Sequence, residues 1–175
     1  MKATGIVRRI DDLGRVVIPK EIRRTLRIKE NDPLEIFTDR EGEIIFKKYS
    51  PMGDLGDFAQ EYVDALHEST SHIALIADED EIIAINGAPR KLFLNKRLSP
   101  ATVKLLEEKV SYVGTSARND IPVEGYETSS QVVTPILKGG ALVGAVILLS
   151  KETVLGQLER TLCETAANFL AKQLK

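Results

Sequence analysis

A proline and a glycine two residues apart, in Ser50-Pro51-Met52-Gly53-Asp54, divide this chain of 175 residues into two unequal parts. Pro51 lacks a backbone N–H and disfavours helix at the residue before it, so a boundary is expected here. We therefore predict a first domain over residues 1–50, a linker over 51–54 and a second domain over 55–175.

The small size of the first part restricts how it can fold. Domains of this length bury only about 60% of their unfolded surface and are marginal without further stabilisation. The single cysteine, Cys163, excludes a disulfide framework, and no plausible metal ligands are present in residues 1–50. Association between copies is the remaining source of stability, so we predict a tight homodimer, whether intertwined or packed side by side.

Short β-rich runs and turn signals alternate in the first part. We predict strands over 5–10 and 15–18 around the turn Asp11-Asp12-Leu13-Gly14. Pro19 suits the first position of a helix, predicted over 19–26. A hairpin is predicted over 34–38 and 43–49, with Gly42 in its loop.

The second part mixes helical and strand patterns, which predicts an α/β or α+β domain and an α+β chain overall. Helices are predicted over 55–68, 100–110 and 152–173, and strands over 73–77, 82–85, 131–137 and 142–150. Asp54 is the predicted N-cap of the first helix. The apolar residues assigned to one face of the first helix are Leu55, Phe58, Tyr62 and Ala65. Those assigned to the last helix are Leu158, Leu162, Ala166, Leu170 and Leu174.

Positive charge is concentrated near the start of the chain. The net charge is -2 overall, yet residues 1–29 hold 9 Lys or Arg against 3 Asp or Glu. Lys20, Arg23, Arg24 and Arg27 follow helical spacing and are predicted on one side of a helix. Arginine binds phosphate and guanine edges bidentately, so this spacing favours DNA binding over a solvated surface helix.

The run from Thr4 to Pro19, its continuation from Glu21 to Leu26 and the predicted hairpin closely resemble the AbrB-type DNA-binding domain. The resemblance implies a swapped-hairpin homodimer that binds double-stranded DNA and regulates transcription, with sporulation genes as targets. It implies DNA contacts by Arg8, Arg15, Arg23 and Arg24, and it favours Arg9 and Lys2 as additional phosphate contacts.

Residues 55–175 are similar to GAF-like domains, a fold that senses small molecules and forms oligomers. The resemblance lies in Thr134-Pro135-Ile136 and Gly144-Ala145-Val146-Ile147, before a long terminal helix. It implies a small-molecule effector, a homotetramer formed through the second domain, or both. The helices over 55–68 and 152–173 are the predicted assembly surfaces, although each could equally pack within its own domain.

Other classes of function are less well supported by the residues. His67 and His72 do not form a recognisable metal pair, and Cys163 is predicted to be a buried structural thiol, so we expect no catalysis, metal or cofactor. Ser116, Arg118 and Asn119 could line a pocket mouth or simply belong to a loop. No secretory or membrane-spanning segment is recognised, which predicts a cytoplasmic protein. An antitoxin-like interaction module is the alternative, but residues 55–175 are patterned for packing rather than as a flexible tail.

Overall fold

The computed structural model describes residues 5–115, 126 and 128–174. It divides into two compact units between Tyr49 and Ser50. No described helix is long and apolar enough to cross a membrane.

The first unit contains one short helix and one hairpin within the described residues. Helix α1 spans Lys20–Thr25, directly after Pro19, and strands β1 and β2 span Leu34–Thr38 and Ile44–Lys48. The strands are antiparallel, with Ile36 opposite Phe46. The predicted helix and hairpin are confirmed to within two residues at each end.

The predicted strands over 5–10 and 15–18 are not formed within the single chain. The turn between them is present, because the backbone N–H of Gly14 donates to the carbonyl of Asp11 at 3.0 Å. Apolar side chains on both segments are exposed, including Val7 at 85% and Val17 at 70%. A strand is defined by pairing with a neighbour, and neither segment pairs with a strand inside its own described chain.

The second unit is built on a five-stranded antiparallel sheet in the order β4-β3-β7-β6-β5. Its strands are β3 (Ile73–Ala77), β4 (Ile82–Asn86), β5 (Tyr112–Thr115), β6 (Ser130–Lys138) and β7 (Ala141–Ser150). Every residue of β3 is buried, because helices cover both faces of the sheet. The four strands predicted here are confirmed to within one residue at each end, whereas β5 was not predicted.

Two helical layers enclose the sheet. One hydrophobic cluster includes residues of α2 (Gly56–Thr70) and α5 (Gln157–Gln173), and the other includes residues of α3 (Arg90–Phe93) and α4 (Pro100–Glu107). Alternate residues of β3 enter the two clusters, as expected for side chains that alternate across a strand. Ser99 caps α4 by accepting the backbone N–H of Thr102.

Three local predictions in this unit were wrong. Residues predicted as a linker form the 3-10 helix Pro51–Leu55, in which Met52 is fully buried in the core. Leu55, not Asp54, precedes α2, and no side chain caps that helix. Helix α5 begins at Gln157 rather than Glu152. The residues before it form a turn, in which the hydroxyl of Ser150 accepts the backbone N–H of Thr153.

Candidate nucleic-acid interface

The exposed arginines of the first unit are its most prominent polar feature. Arg8 and Arg9 lie on the segment before the first turn, and their side chains are open to solvent. Lys2, which was predicted with them, lies outside the described residues. A guanidinium that remains hydrated in the free protein is available to bind a phosphate.

Arg15 is held by a compact turn. The carboxylate of Asp11 accepts the backbone N–H groups of Leu13 and Arg15 through Oδ1, at 3.0 and 2.8 Å. Its Oδ2 accepts Nε of Arg15 at 2.8 Å, while 69% of the Arg15 side chain remains exposed. Hydrogen bonds from the Arg15 backbone and side chain lower the pKa of Asp11. The carboxylate is therefore ionised at neutral pH.

Helix α1 carries Arg23 and Arg24 on its exposed surface. Both precede the end of the helix at Thr25, and none of the helical residues is buried. Arg27 does not extend the predicted basic face, because it follows the end of the helix in a left-handed conformation with φ of 55°. Arg23 and Arg24 are thus the two arginines that α1 itself positions.

Asp11 was not predicted to be a functional residue. An aspartate that precedes a turn with glycine commonly accepts backbone N–H groups, and Arg15 follows at the fourth position. This spacing contained the signal for the contact between the two side chains, although it was interpreted only as a turn.

The second unit has an exposed apolar face across α2 and α5. The rings of Tyr62 on α2 and Phe169 on α5 are 5.4 Å apart between centroids. Phe58 lies on the same side of α2 as Tyr62, and Leu158 lies on the same side of α5 as Phe169, with 49% and 68% exposure. The core-facing residues of α2 are Ala59, Val63 and Leu66. The predicted face of this helix was therefore wrong for Phe58 and Ala65, which point outwards.

Two of the cavities formed by described residues lie in the second unit. One of about 490 Å³ is lined by residues that include Ser71, His72, Gly87 and Lys151, near the ends of α2 and β7. The other, of about 270 Å³, lies between β6 and α5 and includes Arg160 and Glu164. The residues predicted at a pocket mouth, Ser116, Arg118 and Asn119, fall outside the described part of the chain.

The histidines and the cysteine take part in local packing. Nδ1 of His67 is 2.7 Å from the carbonyl oxygen of His72, and the ring lies so close to Gly87 that a Cβ there would approach Nδ1 to 2.7 Å. Cys163 is fully buried, and burial raises the pKa of its thiol to about 12. Among the described residues, no group of three or more His, Cys, Asp or Glu could hold a metal ion.

Two protein families match adjacent parts of the chain and together cover residues 7–175. Residues 54–175 match the family described as "Stage V sporulation protein T C-terminal, transcription factor". Residues 7–54 match the family described as "Antidote-toxin recognition MazE, bacterial antitoxin". The boundary between the two matches lies close to the division between the structural units.

Individual relatives extend these matches. The chain is 52% identical over 177 aligned positions to stage V sporulation protein T of Bacillus subtilis (strain 168), covering 100% of this chain and 99% of that protein. It is 67% identical over 51 residues to the transition state regulatory protein AbrB of the same organism, covering 29% of this chain and 52% of AbrB. The first unit is therefore AbrB-like.

The second unit has the GAF fold. The GAF domain of a phosphoenolpyruvate-protein phosphotransferase from Coxiella burnetii superposes with a TM-score of 0.58 at 18% identity. The superposition covers 67% of this chain and 80% of that domain. The predicted fold, an AbrB-like unit followed by a GAF-like α/β unit, is confirmed.

Proposed function

Because the chain belongs to the stage V sporulation protein T family of transcription factors, we propose that it regulates sporulation genes by binding specific sites in duplex DNA. The observation that carries this proposal is the exposed arginine set of the AbrB-like first unit. The contacting residues are Arg8, Arg15, Arg23 and Arg24, with Arg9 and Lys2 contributing to phosphate binding. Acting on the chromosome of a bacterium, the protein works in the cytoplasm.

The first unit works as a homodimer. Its described residues expose apolar side chains at a density that a small monomeric domain would not tolerate, among them Val7, Leu13, Val17, Ile36 and Ile44. Pairing of the 5–10 and 15–18 segments with those of a second copy would bury part of this surface and supply the missing strand partners. The dimer then presents two sets of arginines, so its preferred DNA sites have approximate two-fold symmetry.

The second unit joins dimers into a homotetramer through the exposed face of α2 and α5. Phe58, Tyr62, Leu158 and Phe169 belong to two neighbouring helices, and a patch that packs against its own copy gives a closed two-fold interface. Two linked DNA-binding dimers occupy two sites on one DNA molecule with increased avidity.

A small-molecule effector binds the second unit and modulates this assembly. The cavity near the ends of α2 and β7, at about 490 Å³, has the size of a typical ligand pocket and a mixed polar lining. Thermal-shift measurements on the full chain against a metabolite set test this, with Lys151→Ala as the variant expected to lose the shift. If no metabolite shifts the melting temperature of the wild type or of Lys151→Ala, the effector proposal is contradicted.

The protein acts without catalysis: its only thiol is buried with a raised pKa, the ring of His67 contacts the His72 carbonyl and lies against Gly87, and Nε2 of His72 is 4.0 Å from Oε1 of Glu159. The antitoxin alternative is not favoured. Residues 54–175 belong to a transcription-factor family, and the first unit is 67% identical to a transition state regulator over 51 residues.

DNA binding by the full chain is the direct test. Duplexes are selected from a random library, and the affinity of the tightest one is measured by fluorescence anisotropy between about 50 and 200 mM salt. We expect a selected consensus with dyad symmetry and a log–log salt slope of about -0.9 for each phosphate contact. Selection without enrichment of any sequence would contradict the proposal.

A further inference from the structure

Asp11 and Arg15 form a closed unit at the exposed end of the first turn. The backbone N–H of Asp11 donates to the carbonyl of Arg15 at 3.0 Å, and that of Arg15 donates back to Oδ1 of Asp11 at 2.8 Å. The side chains then meet through Nε of Arg15 and Oδ2 of Asp11, also at 2.8 Å. Gly14, with φ of 75°, allows the chain to turn tightly enough for these contacts.

We propose that Asp11 is a positioning residue that holds the Arg15 guanidinium in the orientation needed to read a DNA base. This inference rests on the proposed function of Arg15 in DNA binding. The contact with Asp11 uses Nε and leaves both terminal amino groups of the guanidinium free of it, and these are the groups that bind O6 and N7 of guanine together. A restrained arginine loses less side-chain entropy when it binds than a mobile one.

Because Asp11 is negatively charged, its role in orienting Arg15 can be distinguished from a purely electrostatic effect on DNA binding. A carboxylate at the interface repels the DNA phosphates, so its removal should increase binding to any sequence. An orienting role predicts the opposite for the preferred sequence relative to others. The ratio of specific to non-specific affinity therefore distinguishes a positioning residue from a surface charge.

Asp12 provides a matched control for this test. It is the next residue, carries the same charge and is also exposed. Asp11→Asn and Asp12→Asn each remove one negative charge from the turn. The amide oxygen of an asparagine at position 11 can still accept the backbone N–H groups of Leu13 and Arg15, which preserves the turn.

The experiment measures the affinity of the full chain for two duplexes at fixed salt: the tightest duplex selected from a random library by the wild-type protein, and a shuffled duplex of equal length. We expect Asp12→Asn to leave the affinity ratio unchanged and Asp11→Asn to reduce it about tenfold, as for the loss of one bidentate base contact. Equal ratios for the two variants would overturn the positioning role.

A second variant tests the same contact from the other side. Arg15→Lys keeps the positive charge and the Asp11 carboxylate but removes the Nε–H donor and the planar guanidinium. We expect it to reduce the ratio as Asp11→Asn does, with little further loss in the double variant. Additive losses would overturn the proposal, because they would mean that the two residues act independently.

An NMR readout confirms that the contact itself has changed. The Nε–Hε resonance of Arg15, assigned by its disappearance in Arg15→Lys, should shift in Asp11→Asn and stay in place in Asp12→Asn.

Arg15→Ala distinguishes an error in the proposed function of Arg15 from an error in the positioning role of Asp11. If Arg15→Ala leaves the affinity ratio intact, Arg15 does not read DNA. If it lowers the ratio and Asp11→Asn does not, only the positioning role is wrong.

Discussion

The rings of Tyr62 and Phe169 lie 5.4 Å apart between centroids, with their planes inclined at 40°, and this contact joins α2 to α5 at the surface. Phe169 is still 41% exposed. Leu158 and Leu162 follow the same flank of α5 as Phe169, whereas Arg160, Glu164 and Asn168 follow the opposite flank. One flank of a single helix is therefore apolar and the other polar.

Phe169→Glu should separate the proposed tetramer into dimers. The substitution places a charge at the centre of the exposed aromatic pair, where a second copy would have to bury it without a partner. Because Phe169 is partly exposed, we expect the unit itself to remain folded. Light scattering after size-exclusion chromatography measures the mass, and circular dichroism measures the fold.

Asn168→Glu is the matched control for this substitution. It introduces the same charge one residue earlier on α5, but on the polar flank. We expect its mass to equal that of the wild type. A tetramer in both variants would mean that α5 does not form the interface, and a dimer in both would mean that charge alone, not its position, disrupts assembly.

Arg23→Ala and Arg24→Ala should each weaken DNA binding without unfolding the first unit, because α1 buries none of its residues. If each contacts a phosphate, the log–log salt slope decreases in magnitude by about 0.9 for each variant. Arg40→Ala, an exposed arginine in the hairpin loop, is the control and should leave the slope unchanged. Slopes equal to that of the wild type in Arg23→Ala and Arg24→Ala would remove them from the interface.

The thiol of Cys163 should be inert in the native protein. Burial raises its pKa to about 12, so the thiolate that reacts with disulfide reagents is scarce at pH 8. We expect 5,5′-dithiobis(2-nitrobenzoate) to modify it more than about 100-fold more slowly in the native state than in urea. Ser69→Cys adds an exposed thiol on α2 and should give one rapid equivalent. Rapid native modification of the wild type would contradict this burial.

Patterns within short segments predicted most of this fold. The strands Leu34–Thr38 and Ile73–Ala77 lie where their apolar residues and flanking turns indicated. The segments 5–10 and 15–18 show the limit of such patterns. Alternating apolar residues indicate that a surface will be covered, but they do not say whether the covering strand belongs to the same chain.

Helical faces were harder to assign than helices. Each step of four residues advances about 40° beyond a full turn, so a stripe in steps of four winds around the helix. The stripe predicted for α5 is buried at Ala166 and Leu170, and at Leu174 directly after the helix, but it has left the core at Leu158. Which part of such a stripe is buried depends on the sheet beneath it. Arg23 and Arg24, in contrast, were placed on one side of a helix by their spacing, whereas Arg8 and Arg15 were assigned through the resemblance to AbrB-type domains.

Acid should weaken the start of α5 through Glu159. Its Oε2 accepts the backbone N–H of Gly156 at 2.7 Å, which lowers the pKa of Glu159 from its usual 4.5, with a smaller contribution from His72. A depressed folded-state pKa stabilises the protein above the unfolded value and loses this effect as the pH falls through the folded value. Glu159→Gln should therefore reduce the free energy of unfolding at pH 7, and the difference should shrink as the pH falls below 4.5 and vanish once the pH is below the lowered folded-state pKa.

Urea unfolding between pH 3 and pH 7 measures this difference, with the approximate range set by the ordinary carboxyl pKa. Glu61→Gln on the exposed surface of α2 reports the effect of removing one negative charge elsewhere in the unit. A Glu159→Gln difference that stays constant with pH, or grows as the pH falls, would contradict the assigned role of the carboxylate.

Gly144→Ala should destabilise the second unit more than the addition of one methyl group suggests. A Cβ at this position of β7 would lie 2.5 Å from the backbone oxygen of Ala77 on β3 and 3.1 Å from Cγ of Met52. The oxygen belongs to a fully buried strand that is paired on both sides and cannot move aside, so we expect a loss of about 2 kcal/mol in the free energy of unfolding. Gly53→Ala is the control, because a Cβ there meets nothing within 4 Å. Urea unfolding of both variants provides the comparison, and equal stability would mean that β3 and β7 are less closely packed than these distances require.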